Sequence, residues 1–107
     1  MSEVENAQED AENEPLGLPP ASFETLAGML ISQAEFALLS FETEKGRHEP
    51  DLRLARHVID LIAVLEDKTK GNLSMEEQRL IGNSLTELRF RYIQALEDGR
   101  KREGAQA

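Results

Sequence analysis

Apolar residues recur at helical spacing in three separate stretches of the chain. In the first stretch, from Phe23 to Phe41, apolar side chains follow one another at steps of three and four residues. This spacing places them on one face of an α-helix, and Ser22 can cap the first turn. Three more apolar residues lie off this face, namely Met29, Phe36 and Leu39. We therefore expect a first helix over 23–41 with two neighbours.

The second stretch carries two or more apolar residues in each turn from Leu52 to Leu65, which is typical of a central helix. Asp51 can cap its start. Its end is expected at 68–71, because cations suit a last helical turn and Gly71 can adopt a left-handed conformation. The segment 42–50 before it is polar, contains Gly46 and ends in proline, so it predicts a loop.

The third stretch begins with a capping box, in which the Ser74 hydroxyl can bond the Glu77 N–H while the Glu77 carboxylate bonds the Ser74 N–H. Its apolar stripe runs from Ile81 to Ala95 at alternating steps of four and three residues. After Glu97 the chain has two glycines and mixed charge, so we expect the helix to fray there.

These elements predict an all-α fold, a small three-helix bundle with a disordered acidic N-terminal tail. The short connection at Asn72 and Leu73 favours an antiparallel helical hairpin of helices 2 and 3, against which helix 1 packs. Docking of helix 1 on a second subunit is the alternative. The expected domain limits are a tail over 1–20, a three-helix domain over 21–97 and a frayed C-terminal tail over 98–107.

Charge is concentrated at the N-terminus. Of the formal net charge of -9, the first twenty residues contribute six carboxylates and no Lys or Arg. Val4 is the only large aliphatic side chain between Met1 and Asn13, and such a composition does not repay the entropy of ordering. The tail is therefore expected to be disordered and to serve as a solubilising extension or as an arm for a basic partner.

The same acidity argues against two classes of partner. Nucleic acid and anionic membranes both need a basic face, so we expect neither as a partner. The sequence shows no secretory signal and no apolar run of the roughly 20 residues that a bilayer requires. The chain has no cysteine, which excludes disulfides, thiolate nucleophiles and Cys-based zinc sites. We expect a soluble cytoplasmic protein.

Residues with catalytic chemistry are few. His57 and Asp60 lie one turn apart on the second helix, where an imidazole can hydrogen-bond a carboxylate, but no nucleophile is placed beside them. A polar or ion pair on the solvated helix surface is the favoured explanation of these two residues. No ligand spacing typical of zinc and no phosphate-binding glycine motif is present. We therefore predict no catalytic residue, no metal site, no cofactor and no enzymatic activity.

Arg89 and Arg91 flank Phe90 on the third helix. Interleaved basic and aromatic side chains can stack on bases, yet one such pair on an acidic domain is a poor platform. We expect one of these arginines to pair with a carboxylate such as Asp60 or Glu87.

Three segments resemble a bacterial family catalogued as domain of unknown function 1844. They are LPPASFETL (18–26), DLRLARHVIDLIAVLEDKTKGNLSMEE (51–77) and ELRFRY (87–92). The resemblance implies a short helical bacterial protein, cytosolic and without an assigned activity, and it brings no catalytic residues. It directs interest to polar positions within the matching segments, which together form a candidate interaction or polar cluster: Arg56, His57, Asp60, Arg89 and Tyr92.

Three functions remain open from the sequence. The first is a non-enzymatic protein–protein interaction or self-assembly module, because the apolar surface of helices 1 and 2 exceeds what a small core covers. Its partner is expected to be a second copy in a homo-oligomer, with a dimer favoured, or another protein. The second is a small-ligand-binding or catalytic domain that uses His57, Asp60 and Arg89, which would then converge in a cleft. The third is an accessory role in a nucleic-acid machine through the tail or the arginines.

Overall fold

The structure, a computed structural model, describes residues 17–106, of which 17–22 contain no helix or strand. The elements are α1 (Phe23–Leu38), β1 (Phe41–Thr43), β2 (Gly46–His48), α2 (Leu52–Lys68) and α3 (Met75–Gln106). The disorder predicted for the acidic tail falls largely on residues 1–16, which lie outside the described residues.

The three helices pack pairwise around one core, with the most extensive contact between α1 and α2. The predicted all-α fold, a three-helix bundle in which helix 1 packs on the hairpin of helices 2 and 3, is confirmed. α1 contributes only alanines to the fully buried set, which lets the helix backbones approach closely. The buried apolar side chains are Ala27, Ala34, Ala37, Ala55, Val58, Ile59, Ile62, Ile81, Leu85 and Leu88.

All three predicted helix starts form with their caps. The Ser22 hydroxyl accepts from the Thr25 N–H at 3.1 Å, and an Asp51 carboxylate oxygen accepts from the Leu54 N–H at 3.1 Å. The capping box is complete, since the Ser74 N–H reaches the Glu77 carboxylate at 2.8 Å and the Glu77 N–H reaches the Ser74 hydroxyl at 3.1 Å. These bonds satisfy helix N–H groups that have no partner within the helix.

The predicted end of the first helix at Phe41 is wrong. α1 ends at Leu38, because Leu39 turns into an extended conformation and bonds its N–H to the Phe36 carbonyl. Phe41 instead enters a β-hairpin and lies directly opposite His48 in an antiparallel pair. Phe41 thus has the sequence spacing expected of the helix, although it lies in a strand.

The predicted loop over 42–50 is mostly this hairpin. Its turn is closed by the Thr43 hydroxyl, which donates to the Gly46 carbonyl at 2.8 Å and accepts from the Lys45 N–H at 3.2 Å. Gly46 has a φ of 123°, which a side chain would strain. Within the predicted loop, only the turn at 44–45 and residues 49–50 before α2 lack strand structure.

The third helix does not fray after Glu97 but continues to Gln106. Its distal part is tied to the hairpin, since Arg102 pairs with Glu49 at 2.7 Å. Glu49 also pairs with Arg47 at 2.8 Å. This link between residues distant in sequence holds the segment that local composition predicted to fray.

Candidate functional site

Four of the five candidate cluster residues meet at one shallow depression beside α2. Arg56, His57, Asp60 and Tyr92 line this space of about 410 Å³ together with Leu52 and Arg53. Arg89 does not line it. The predicted convergence of His57 and Asp60 with an arginine therefore involves Arg56, on the same helix, rather than Arg89.

The side chains of this depression make little contact through their polar atoms. Arg56, His57, Asp60 and Arg89 are exposed, and within residues 17–106 no hydrogen bond or ion pair joins any two of the five candidates. Tyr92 is half-buried and packs against the core. The arrangement offers solvated charges and no oriented acid–base pair.

A larger cleft opens between the C-terminal end of α1, the hairpin and α3. It measures about 600 Å³, and its charged lining residues are Glu35, Arg47, Arg91, Asp98, Lys101 and Arg102. Its three arginines are already paired with carboxylates at 2.7–3.9 Å. Of these pairs, Arg102–Glu49 links the end of the hairpin to α3, and Arg91–Glu35 links α3 to α1.

One of these pairs confirms a prediction. Arg91 donates to Glu87 one turn away at 3.1 Å, and it approaches Glu35 of α1 at 3.9 Å. An arginine of the third helix thus pairs with a carboxylate, as expected, and links α3 to α1 as well.

Metal ligands do not gather in the described part of the chain. Within residues 17–106 no group of three or more His, Asp or Glu side chains is placed to hold a metal ion.

An aromatic cluster joins α1 to the hairpin. The rings of Phe41 and His48 stack at 4.5 Å, and Phe36 leans on both at centroid distances of 6.3 and 5.5 Å. The His48 Nε2 atom is buried and has no hydrogen-bond partner. Phe36 therefore has one side of its ring supported while the side chain stays 56% exposed.

The outer face of α1, on the side away from α2 and α3, exposes several apolar side chains. We define it by Leu26, Met29, Gln33 and Phe36, which follow one another at steps of three, four and three residues. Leu26 is 50% exposed, Met29 60% and Phe36 56%. The two neighbours predicted for this helix are α2 and α3, and both pack on its inner side. The outer face stays exposed among the described residues.

Charge is absent from this outer face. The only charged residues of α1 are Glu24 and Glu35. Two shallow depressions of about 500 and 650 Å³ adjoin the face, and neither has a charged residue in its lining. Leu18 extends the apolar surface beyond the helix start at 73% exposure. On α2 the exposed apolar residues Leu54, Leu61 and Val64 also follow helical spacing, but their row includes His57 and is flanked by Arg53 and Asp60.

A comparison with protein families matches residues 20–94, most of the chain, to the family described as domain of unknown function DUF1844. The chain belongs to this family. The DUF1844 match spans α1, the hairpin, α2 and the larger part of α3, so it contains all five candidate cluster residues and the outer face of α1.

No curated protein and no solved structure is significantly similar to the chain. Among residues 17–106, no helix combines the length and the apolar character needed to cross a membrane.

Proposed function

We propose that this domain is a non-enzymatic protein–protein interaction module that assembles with a second copy of itself in the cytoplasm. The outer face of α1 carries this proposal. A helix that buries one face in its own bundle and exposes an uncharged apolar second face is typical of a protein interface, because monomers rarely expose contiguous apolar patches.

The contrast with the rest of the surface supports the proposal. Exposed apolar side chains are normal in any protein, and those of α2 lie beside the charged residues Arg53 and Asp60. The outer face of α1 is continuous with Leu18, and 31% of the residues in this chain are charged, so a charge-free helix face stands out against its composition. The centres of protein–protein interfaces are likewise apolar and depleted in charged residues.

The mass in solution tests the proposal. Light scattering after size exclusion should give twice the chain mass of 12.0 kDa at micromolar concentration. A chain that starts at Pro19 should give the same stoichiometry, because it keeps the whole of α1. Masses of a single chain for both proteins would contradict self-assembly.

A second candidate function is the binding of a small polar ligand at the depression beside α2. The observation that favours it is the convergence of Arg56, His57, Asp60 and Tyr92 there, with Arg53 adding a further cation. Inorganic phosphate should then raise the melting temperature of the wild type and not that of Arg56→Ala. Equal responses of the two proteins would remove this candidate.

A further inference from the structure

The depression beside α2 has opposite charges at its two ends. Arg53, Arg56, His57 and Asp60 follow one another at steps of three, one and three residues, so they share one side of the helix. The two arginines lie toward the start of α2, and Asp60 lies one turn beyond Arg56, which is about 6 Å along the axis at ~1.5 Å per residue. The lining therefore has a cationic end and an anionic end.

The stability of α2 does not explain this order of charges. Acidic side chains near the start of a helix and basic ones near its end are stabilising, and a pair four residues apart is more favourable with the acid first. α2 has no acidic residue in its first turn, whereas both α1 and α3 do. Asp51 caps the start of α2, but the next charged residues are Arg53 and Arg56. A local arrangement that works against its own helix is typical of a functional site.

The charged groups of the depression are not used for internal pairing. Arg53, Arg56 and Asp60 are exposed and form no ion pair within residues 17–106, although Arg56 and Asp60 lie one turn apart. The arginines of the larger cleft, by contrast, all pair with carboxylates. Tyr92 adds a half-buried ring and a hydroxyl to the lining, and Leu52 adds an apolar side chain.

We propose, resting on the second candidate function above, that this depression binds a small molecule with a phosphate group at one end and an ammonium group at the other. The phosphate contacts the guanidinium groups of Arg53 and Arg56, because the N–H donors of arginine match phosphate oxygens in geometry and charge. The ammonium group contacts the Asp60 carboxylate. His57 lies between the two ends, where its imidazole can hydrogen-bond the middle of the ligand.

Charge and size both fit such a ligand. Two arginines match a phosphate monoester, with its charge of about −1.5 to −2 at pH 7, better than they match a single carboxylate. The volume of about 410 Å³ is that of a small-molecule site. The charged side chains are exposed, so each contact contributes little and weakens with salt. We therefore expect a dissociation constant in roughly the millimolar range at low salt.

Two matched ligands test the two ends of the depression. Aminopropyl phosphate carries both charged groups, and propyl phosphate lacks only the ammonium. Each is titrated at constant ionic strength into the isotope-labelled full chain, and amide shifts are followed by NMR. The largest shifts should fall on residues 52–60 and on Tyr92. Aminopropyl phosphate should bind about two- to fivefold more tightly than propyl phosphate, because only the former contacts Asp60.

Substitutions at exposed positions assign a role to each end. Asp60→Asn should abolish the preference for aminopropyl phosphate and leave propyl phosphate bound at least as tightly as before. The double variant Arg53→Gln with Arg56→Gln should weaken both ligands at least about fivefold. Arg79→Gln with Arg100→Gln is the matched control, because it removes the same charge from exposed positions of α3 outside the depression. This control should change neither dissociation constant by more than about twofold.

The outcomes separate this inference from the function it rests on. Equal binding of the two ligands, or a preference that survives in Asp60→Asn, overturns the two-ended site and leaves phosphate binding standing. Equal weakening in the control variant shows a nonspecific effect of charge and overturns the site. No binding of either ligand removes this inference together with the second candidate function, while the self-assembly proposal is unaffected.

Discussion

At the scale of single residues, two glycines differ in backbone conformation, so that adding a Cβ has opposite effects at the two positions. Gly71 ends the α2 turn with a φ of 86°, a left-handed conformation in which a Cβ is strained. Gly99 lies inside α3, where a Cβ would meet nothing within 4 Å. The same substitution therefore acts in opposite directions at the two positions.

We predict that Gly71→Ala lowers the free energy of unfolding by about 1 kcal/mol, because alanine resists the left-handed conformation. Gly99→Ala should raise it by about 0.5–1 kcal/mol, because alanine loses less backbone entropy in a helix. Urea denaturation of the two variants beside the wild type measures both effects. A stabilising Gly71→Ala would show that this turn does not need its observed conformation.

Two isoleucines differ in burial, so the same substitution should affect stability differently at each. Ile62 is fully buried and Ile93 is 51% exposed. Ile62→Val should cost about 0.5–1.5 kcal/mol through the lost methylene and the space it leaves, whereas Ile93→Val should change stability by less than about 0.5 kcal/mol. Denaturant midpoints compare the two variants directly, and equal losses would contradict the assigned core.

At the scale of elements, the sequence predicts those features that depend on residues close together in the chain. The starts of α1, α2 and α3 are all predicted, because each depends on a cap within four residues of it, at Ser22, Asp51 and Ser74. The hairpin is missed, because its strands are three residues long and all but one of their residues are exposed, which leaves no alternating apolar pattern. Phe41 and His48 are opposite each other in its register, and their rings stack.

The C-terminal part of α3 is missed for a related reason. Its glycines and mixed charges predict fraying, and only a contact between residues distant in sequence opposes that tendency. Arg102 reaches Glu49, which also holds Arg47. Local propensity contains no information about such a pair.

We predict that Glu49→Gln loosens the end of α3, because it removes the carboxylate shared by both arginines. Hydrogen exchange of the amides over 98–104 should accelerate several-fold, while global stability falls by less than about 1 kcal/mol, as for exposed ion pairs. Glu44→Gln is the control, because Glu44 lies in the hairpin turn and makes no ion pair among residues 17–106. Unchanged exchange in Glu49→Gln would show that the helix holds its end without the hairpin.

At the scale of the whole molecule, the candidate site divides into a part the sequence predicts and a part it does not. Helical spacing brings Arg56, His57 and Asp60 together, and packing adds Tyr92. Arg89 does not line that depression. The sequence could not show this, because spacing fixes neighbours on one helix and not the rotation of α3 relative to α2. Likewise, spacing shows that Met29 and Phe36 lie off the buried stripe, but only the packed bundle shows that they stay exposed.

The central claim is that the outer face of α1 is the surface through which two copies meet. Amide chemical shifts of isotope-labelled full chain, recorded by NMR over a dilution series, test it residue by residue. We predict that dilution shifts the signals of residues 25–36 and leaves those around Phe90 and Ile93 in place. Shifts concentrated on the outer side of α3, or none anywhere in the chain, would contradict the claim.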